Sequence, residues 1–310
     1  MKHPIALVLA AIAWFLALPA ATAEPVLHHV HGLAFTPDGK SLVVPAHIGL
    51  AVYRDGRWST APGAPHDFMG FSVARHAMYS SGHPAPGTPL RNPLGLMKST
   101  DGGKTWQQLG LAGESDFHVM TAGYASGAIY VVNPEPNSRM RDTGLHVTLD
   151  EGKSWKRGGA SGLSGQVISL AAHPTAAGTV AAGTTNGLYI SRDHGSTFKR
   201  LGAAAAVTAV MFDLDGKHVY FATEPADKLH RVALDGARPT AVPLPALGRD
   251  FVLYIAQNAV NVQELAIATR RRDVYVSRNS GTSWQQIARA GEDMKAASKE
   301  GSPLRKAGSR

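Results

Sequence analysis

The sequence predicts an all-β fold, a six-bladed β-propeller, and three observations lead to this prediction. An eight-residue pattern that begins with serine or threonine and ends with an aromatic residue occurs four times. A short apolar run of similar sequence, typical of a strand, precedes each copy. Counting two degenerate copies, the repeats lie about 42 to 49 residues apart, which is the length of a four-stranded blade.

The repeated pattern has the chemistry of a tight hairpin turn. Its four clear copies are Ser99–Trp106, Thr148–Trp155, Ser191–Phe198 and Ser277–Trp284. An Asp or Asn in the third position can accept hydrogen bonds from turn amides, and the glycine tolerates a positive φ. The final aromatic ring is expected to pack between neighbouring blades. The copies therefore predict structural hairpins rather than catalytic groups.

Two weaker copies complete the count of six. Asp235–Gly236 lies midway between the third and fourth clear copies, and Asp55–Trp58 lies one repeat before the first. A seven-bladed ring is the alternative, and it would require a further copy that the sequence does not show.

The pattern resembles the Asp-box of sialidases, sortilins and related propellers. Beyond it, four phrases resemble those of bacterial exported proteins of the BNR/Asp-box, sortilin-like class, a group labelled glycosyl hydrolase-like. These phrases are His29–Gly32, Asp67–Phe71, Ser81–Pro84 and Gly113–His118. The hydrolase label implies a pair of carboxyl groups acting on a sugar, for which Asp67, Glu114 and Asp116 are the candidates.

The N-terminus predicts export. Lys2 is followed by an apolar run from Ile5 to Leu18 and by Ala21–Ala23, which together are typical of a cleavable secretory signal. We expect cleavage after Ala23, a periplasmic or secreted protein, and no transmembrane span after cleavage. The predicted organisation is a signal peptide at 1–23, a propeller at 24–288 and a basic, disordered tail at 289–310.

Composition excludes several classes of site. The chain has no cysteine, which excludes disulfides, thiolate metal sites and a cysteine nucleophile. The formal net charge is +8, but no basic stripe is interleaved with aromatic residues, so a nucleic-acid partner is not predicted.

Polar residues gather where the innermost strands of three adjacent repeats begin. Because side chains alternate along a strand, the first and third residue of each strand start are expected to share a face. Those positions hold His29, His31, Asp67, Met69, Asp116 and His118 in the first three repeats, and Gln166 and Asp250 in later ones. His47 and His83, at the ends of second strands, are expected nearby.

These residues predict a ligand site at one mouth of the central channel. His31, His47, Met69, His83 and His118 are the candidate metal ligands, for copper or another divalent ion. The candidates for contacting a small polar ligand or glycan are His29, Asp67, Asp116, Gln166 and Asp250. Purely structural roles for these residues are the remaining alternative.

Two long loops are expected to shape this mouth, and they run from His83 to Asn92 and from Asn133 to Asp142. The charged hairpin Arg270–Arg272 is expected to be a solvated turn. The first hypothesis for function is a non-enzymatic, exported binding protein with a metal or polar ligand at the mouth. The alternatives are a glycoside hydrolase and an assembly scaffold that binds another protein of the cell envelope.

Overall fold

The computed structural model describes residues 27–202, 204–225, 228–236 and 238–294. The predicted signal peptide and residues 295–310 of the predicted tail lie outside these ranges. The described residues form six antiparallel sheets arranged as a ring, which confirms the six-bladed propeller. No helix among them has the length and hydropathy needed to cross a membrane.

The first three blades carry the polar mouth. Blade 1 contains β1 (Ala34–Phe35), β2 (Leu42–Ala46), β3 (Gly49–Arg54) and β4 (Arg57–Thr60). Blade 2 contains β5 (Asp67–Ala74), β6 (Ala77–His83), β7 (Leu96–Ser99) and β8 (Gln107–Gly110). Blade 3 contains β9 (Met120–Ala122), β10 (Ile129–Asn133), β11 (Gly144–Thr148) and β12 (Lys156–Arg157).

The other three blades complete the ring. Blade 4 contains β13 (Val167–Ala172), β14 (Val180–Thr184), β15 (Gly187–Ser191) and β16 (Lys199–Arg200). Blade 5 contains β17 (Val207–Phe212), β18 (His218–Thr223), β19 (Lys228–Ala233) and β20 (Thr240–Pro243). Blade 6 contains β21 (Val252–Gln257), β22 (Leu265–Thr269), β23 (Val274–Ser277), β24 (Gln285–Arg289) and a short fifth strand, β25 (Glu292–Asp293).

Strand order defines two faces of the ring. In every blade the strands are paired in sequence order, and the first strand is innermost. At one face, called the upper face here, the first strand begins and the second strand turns into the third. At the lower face the first strand turns into the second and the third into the fourth, because neighbouring strands are antiparallel. The long loops predicted to shape the mouth therefore share the upper face with the starts of the inner strands.

Apolar packing between blades holds the ring together. Buried apolar residues of the described chain form six clusters, one at each blade interface. Between blades 6 and 1, Val44 belongs to the same apolar cluster as Ala266 and Ala268, and all three residues are fully buried. The Trp58 indole also donates a hydrogen bond to Ile287 O at 2.9 Å across this interface. Within the described part of the chain no strand is exchanged between the first and last blades, so packing and a few hydrogen bonds close the ring there.

The four clear hairpin copies have the predicted turn geometry. In blade 2, Asp101 accepts hydrogen bonds from the backbone and side chain of Thr105, at 3.0 and 2.6 Å. Ser99 Oγ accepts another from Gly103 N at 2.9 Å, and Gly103 has a φ of 88°. The same contacts recur around Asp150 and Asp193. Asn279 also accepts from the backbone of Ser283, but its amide group donates to the Ser283 hydroxyl. All lie on the lower face, away from the polar mouth.

The last blade extends further than predicted. Strand β24 continues to Arg289 and pairs with β25, so the sheet reaches Asp293 instead of ending at residue 288. The charged composition of this segment suggested a solvated tail. Backbone pairing stabilises it instead: Gly291 N donates to Arg272 O at 3.0 Å, and Leu27 N donates to Gly291 O at 2.8 Å.

Candidate functional site

Three histidines meet at the upper mouth of the ring. His29 and His31 precede β1, and His47 lies in the turn between β2 and β3. One ligand nitrogen from each lies within 4.8 Å of the other two. The rings of His29 and His31 are stacked with centroids 5.7 Å apart, and the His47 ring lies 4.2 and 4.8 Å from them. We call these residues the three-histidine cluster.

A carboxylate fixes the orientation of one member. Asp67, the first residue of β5, accepts a hydrogen bond from His47 Nδ1 at 2.7 Å. Because the carboxylate accepts at Nδ1, the neutral ring keeps its lone pair on Nε2. A carboxylate bound to the far nitrogen of an imidazole is a common second contact of metal-binding histidines.

The other two histidines favour the neutral form. Burial, followed by the charge of His47, lowers the pKa of His31 to about 4. Burial also lowers the pKa of His29, and the charges of His47 and Arg272 contribute. The Nε2 atom of His31 is buried and has no hydrogen-bond partner among the described residues. His29 and His31 therefore favour the unprotonated imidazole, and His31 has an unsatisfied buried nitrogen.

Arg272 holds the backbone beside His29. Its Nη1 donates to the carbonyl oxygens of Leu27 and His28, at 3.3 and 3.1 Å. Arg270 lies over the Phe251 ring, 5.7 Å from its centroid. The expectation that this hairpin is only a solvated turn is therefore wrong for Arg272, whose guanidinium group binds backbone carbonyls of a neighbouring segment, whereas Arg270 is exposed.

A second group of polar side chains lies on blades 2 and 3. The Asp116 Oδ2 atom is 2.6 Å from His118 Nε2 and 3.3 Å from His83 Nε2. On its other side, His83 Nδ1 is 2.7 Å from Asn92 Oδ1, in the first long loop. We call His83, Asp116 and His118 the His–Asp–His group. The sequence did not single out Asn92, which belongs to the loop that was expected to shape the mouth.

The two groups share one edge of the channel. Asp67, the partner of His47, is paired with His83 across β5 and β6. His31 and His118 both line the upper end of a cavity of about 240 Å³ in the centre of the ring. The rest of that cavity is bordered mainly by apolar residues of all six inner strands. The polar residues of blades 1 to 3 thus form a polar belt at the upper end of this cavity.

Other predicted site residues have different surroundings. Glu114 accepts hydrogen bonds from the backbone and side chain of Ser138, which ties the second long loop to the segment before Asp116. Asp250 is buried and accepts from the backbone amides of Phe251 and Arg271, so it caps a turn. An aspartate before a strand commonly has this role. Neither carboxylate is available at the mouth.

Two further candidates remain unconnected to the histidines. Gln166 is exposed on blade 4, and its backbone pairs with Thr185. Met69 is half-buried in β5, where a register shift between Phe68 and Phe71 interrupts the strand alternation used to place it. Their roles as a polar-ligand contact and a metal ligand stay predictions.

A cluster of Asp213, Asp215 and His218 on the lower face also has ligand-type atoms close together. Here the Arg231 guanidinium already occupies the centre. It lies 2.7 Å from Asp213 and 2.8 Å from Asp215. This cluster is therefore a structural ion pair that links strands of blade 5.

The repeat itself is the feature that comparison with known proteins supports. Residues 97–108 match the model of the BNR/Asp-box repeat, and the hairpin contacts above are those of the repeat's turn. The protein is an Asp-box β-propeller. A xyloglucanase from Hypocrea jecorina (strain QM6a) is 39% identical over 64 residues. That match covers 21% of this propeller and 8% of the xyloglucanase.

Solved structures agree on the fold. A GH74 enzyme from Niastella koreensis superposes with a TM-score of 0.59 at 14% sequence identity. The GH74 xyloglucanase from Xanthomonas campestris gives 0.53 at 16% identity. In each case the match covers 86% of the Asp-box propeller and 46% of the enzyme chain, so the chain spans about half the length of these enzymes.

Proposed function

We propose that this Asp-box propeller is an exported protein that binds a divalent transition-metal ion at the three-histidine cluster. The observation that supports the proposal is the convergence of three imidazole nitrogens, with His47 oriented by Asp67 and the buried His31 Nε2 lacking a partner. Neutral imidazoles suit Zn²⁺ and Cu²⁺, and the general order of affinities favours Cu²⁺.

Binding requires a small closure of the cluster. In a tetrahedral site with metal–nitrogen distances of about 2.1 Å, ligand nitrogens lie roughly 3.4 Å apart. The present nitrogens lie within 4.8 Å of one another. Because His29 is exposed and His47 only half-buried, rotation of their rings can supply the difference. Three protein ligands leave one position for water or another small ligand.

Metal titration of protein purified without a histidine tag tests the proposal. We expect one Cu²⁺ or Zn²⁺ ion per chain by calorimetry, confirmed by elemental analysis after dialysis. The variants His31→Ala and His47→Ala should each lose this binding. His76→Ala is the matched control, because His76 is exposed in the lower-face turn between β5 and β6. Unchanged binding in both cluster variants, or no uptake by the parent protein, would reject the proposal.

A glycoside hydrolase is the second candidate, favoured by the 39% identity to a xyloglucanase over 64 residues. Its general acid would have to be a protonated carboxyl group. At this mouth the candidates are Asp67 and Asp116, which lie 2.7 and 2.6 Å from imidazole nitrogens of His47 and His118, respectively. A panel of chromogenic glycosides decides between the candidates. Activity that is lost in Asp67→Asn or Asp116→Asn would support the hydrolase.

A further inference from the structure

The His–Asp–His group leaves one nitrogen of His118 open at the mouth. His118 Nε2 lies 2.6 Å from the Asp116 carboxylate, so Nε2 carries the hydrogen and Nδ1 keeps the lone pair. The His118 side chain is 60% exposed, whereas that of Asp116 is only 17% exposed. An accessible imidazole oriented by a shielded carboxylate is the arrangement that enzymes use for a general base.

The carboxylate in this pair is itself held in place. His83 approaches the same oxygen of Asp116 from the other side, at 3.3 Å. Asn92 accepts from the opposite nitrogen of His83 at 2.7 Å, which anchors that ring to the loop. The remaining oxygen of Asp116, Oδ1, is buried without a hydrogen-bond partner among the described residues. His118 thus has a positioned partner rather than a mobile one.

His118 also faces the same space as the three-histidine cluster. It lines the central cavity together with His31. A solute that enters this mouth meets both groups at once. The cavity beneath has a volume of about 240 Å³, and most of the residues that line it are apolar, so it can accept a small apolar substituent.

We propose that His118, positioned by Asp116, is a general base and that the zinc-loaded mouth hydrolyses small esters of apolar carboxylic acids. This inference rests on the proposed function, since the ion would polarise the ester carbonyl. The apolar acyl group would lie in the channel, with the carbonyl at the polar belt.

The reaction consumes one water and yields an acid and an alcohol. His118 Nδ1 takes a proton from water while the water oxygen forms a bond to the carbonyl carbon. The bond from that carbon to the alcohol oxygen then breaks, and the proton on Nδ1 passes to the departing alcohol oxygen. His118 returns to its starting form, so no other reactant is needed.

Hydrolysis of p-nitrophenyl acetate by the zinc-loaded protein tests the inference, with zinc affinity measured on the same samples. We expect His118→Ala to lower kcat/KM about 100-fold, because general-base catalysis contributes on that order. Its zinc affinity should not change, and added imidazole should restore part of the rate. His76→Ala, on the lower face, should match the parent protein.

Asp116 is expected to act only through His118. The double variant Asp116→Asn/His118→Ala should therefore be no slower than His118→Ala alone, a non-additivity that a general loss of structure would not produce. Equal rates in the parent protein and His118→Ala, or failure of imidazole to restore activity, overturns the inference while the zinc titration stands. Absence of zinc binding overturns the proposed function as well, and the titration separates the two failures.

Discussion

At the scale of single residues, one carboxylate decides which nitrogen His47 presents to the mouth. Asp67 accepts from Nδ1 at 2.7 Å, so the neutral ring keeps its lone pair on Nε2. Without this contact the neutral ring could place its hydrogen on either nitrogen and rotate more freely. In the proposed metal site, Asp67 would therefore act on the ion indirectly, by orienting a ligand.

Removal of this carboxylate should weaken metal binding without abolishing it. We expect Asp67→Ala to raise the dissociation constant about 10- to 100-fold at an unchanged stoichiometry, the usual effect of losing such a contact. Calorimetric titration measures both quantities, and circular dichroism verifies the fold. Asp142→Ala removes an exposed carboxylate from the same face and serves as the control. The same loss of affinity in both variants would contradict a specific role for Asp67.

At the scale of the element, the Asp-box hairpin is a turn built around an anion. Hydrogen bonds from Thr105, Ser154 and Thr197 lower the pKa values of Asp101, Asp150 and Asp193, respectively, to about 2. The fourth clear copy has Asn279, which makes similar contacts without an ionisable group. The molecule therefore contains an acid-insensitive version of its own turn.

This difference predicts how acid affects stability. A carboxyl group whose pKa is lowered from 3.8 to about 2 by folding stabilises the folded state fully above pH 3.8. That contribution is lost as the pH falls toward 2. Replacing Asp101, Asp150 and Asp193 with Asn should therefore flatten the loss of stability between pH 4 and pH 2. Urea unfolding of both proteins across this range measures it, and parallel profiles would contradict the prediction.

At the scale of the whole molecule, the segment that follows the last hairpin copy, Ser277–Trp284, helps to close the ring. Leu27 N and the Arg272 carbonyl both bond to the backbone of Gly291. Ala290 N donates to Asp273 at 2.7 Å in the same region. These contacts join the start of the described chain, a turn of blade 6 and its short fifth strand.

A pair of shortened chains isolates this contribution. A chain that ends at residue 288 lacks the three hydrogen bonds, whereas one that ends at residue 294 keeps them. At about 1 kcal/mol for each bond, the shorter chain should lose about 3 kcal/mol and several degrees in Tm. Calorimetric unfolding of the two proteins provides the comparison. Equal midpoints would show that the last strand does not contribute to closure.

The ring could be predicted from the sequence because turn chemistry is local. Each hairpin copy requires a particular side chain, glycine and aromatic residue within eight positions, so the repeats are visible without alignment. The site was less predictable because its contacts are distant along the chain. His29 and His31 could be grouped by strand alternation, but the bond between Asp67 and His47 depends on how blades 1 and 2 pack.

Charge alone misled the prediction at two places. Arg272 and Asp250 both looked available for solvent or ligand, yet both have backbone partners. Arg272 donates to the carbonyl oxygens of Leu27 and His28, which precede blade 1, and Asp250 accepts from Arg271 N in a turn of blade 6. A run of charged residues predicts a solvated segment when only composition is considered. Composition does not show which backbone carbonyl and amide groups need a hydrogen-bond partner in the fold, and these charged side chains supply it. The segment after residue 288 was misread for the same reason.

The contacts that Arg272 makes beside His29 would link ion binding at the proposed site to closure of the ring. His29 precedes blade 1, and Arg272 of blade 6 holds the backbone beside it through the carbonyl oxygen of His28, while His47 belongs to blade 1. An ion bound by both His29 and His47 would therefore stabilise the interface between blades 6 and 1, where the ring closes. By mass action, the ion-bound protein would resist separation of these two blades, and a protein whose blades had separated would release the ion.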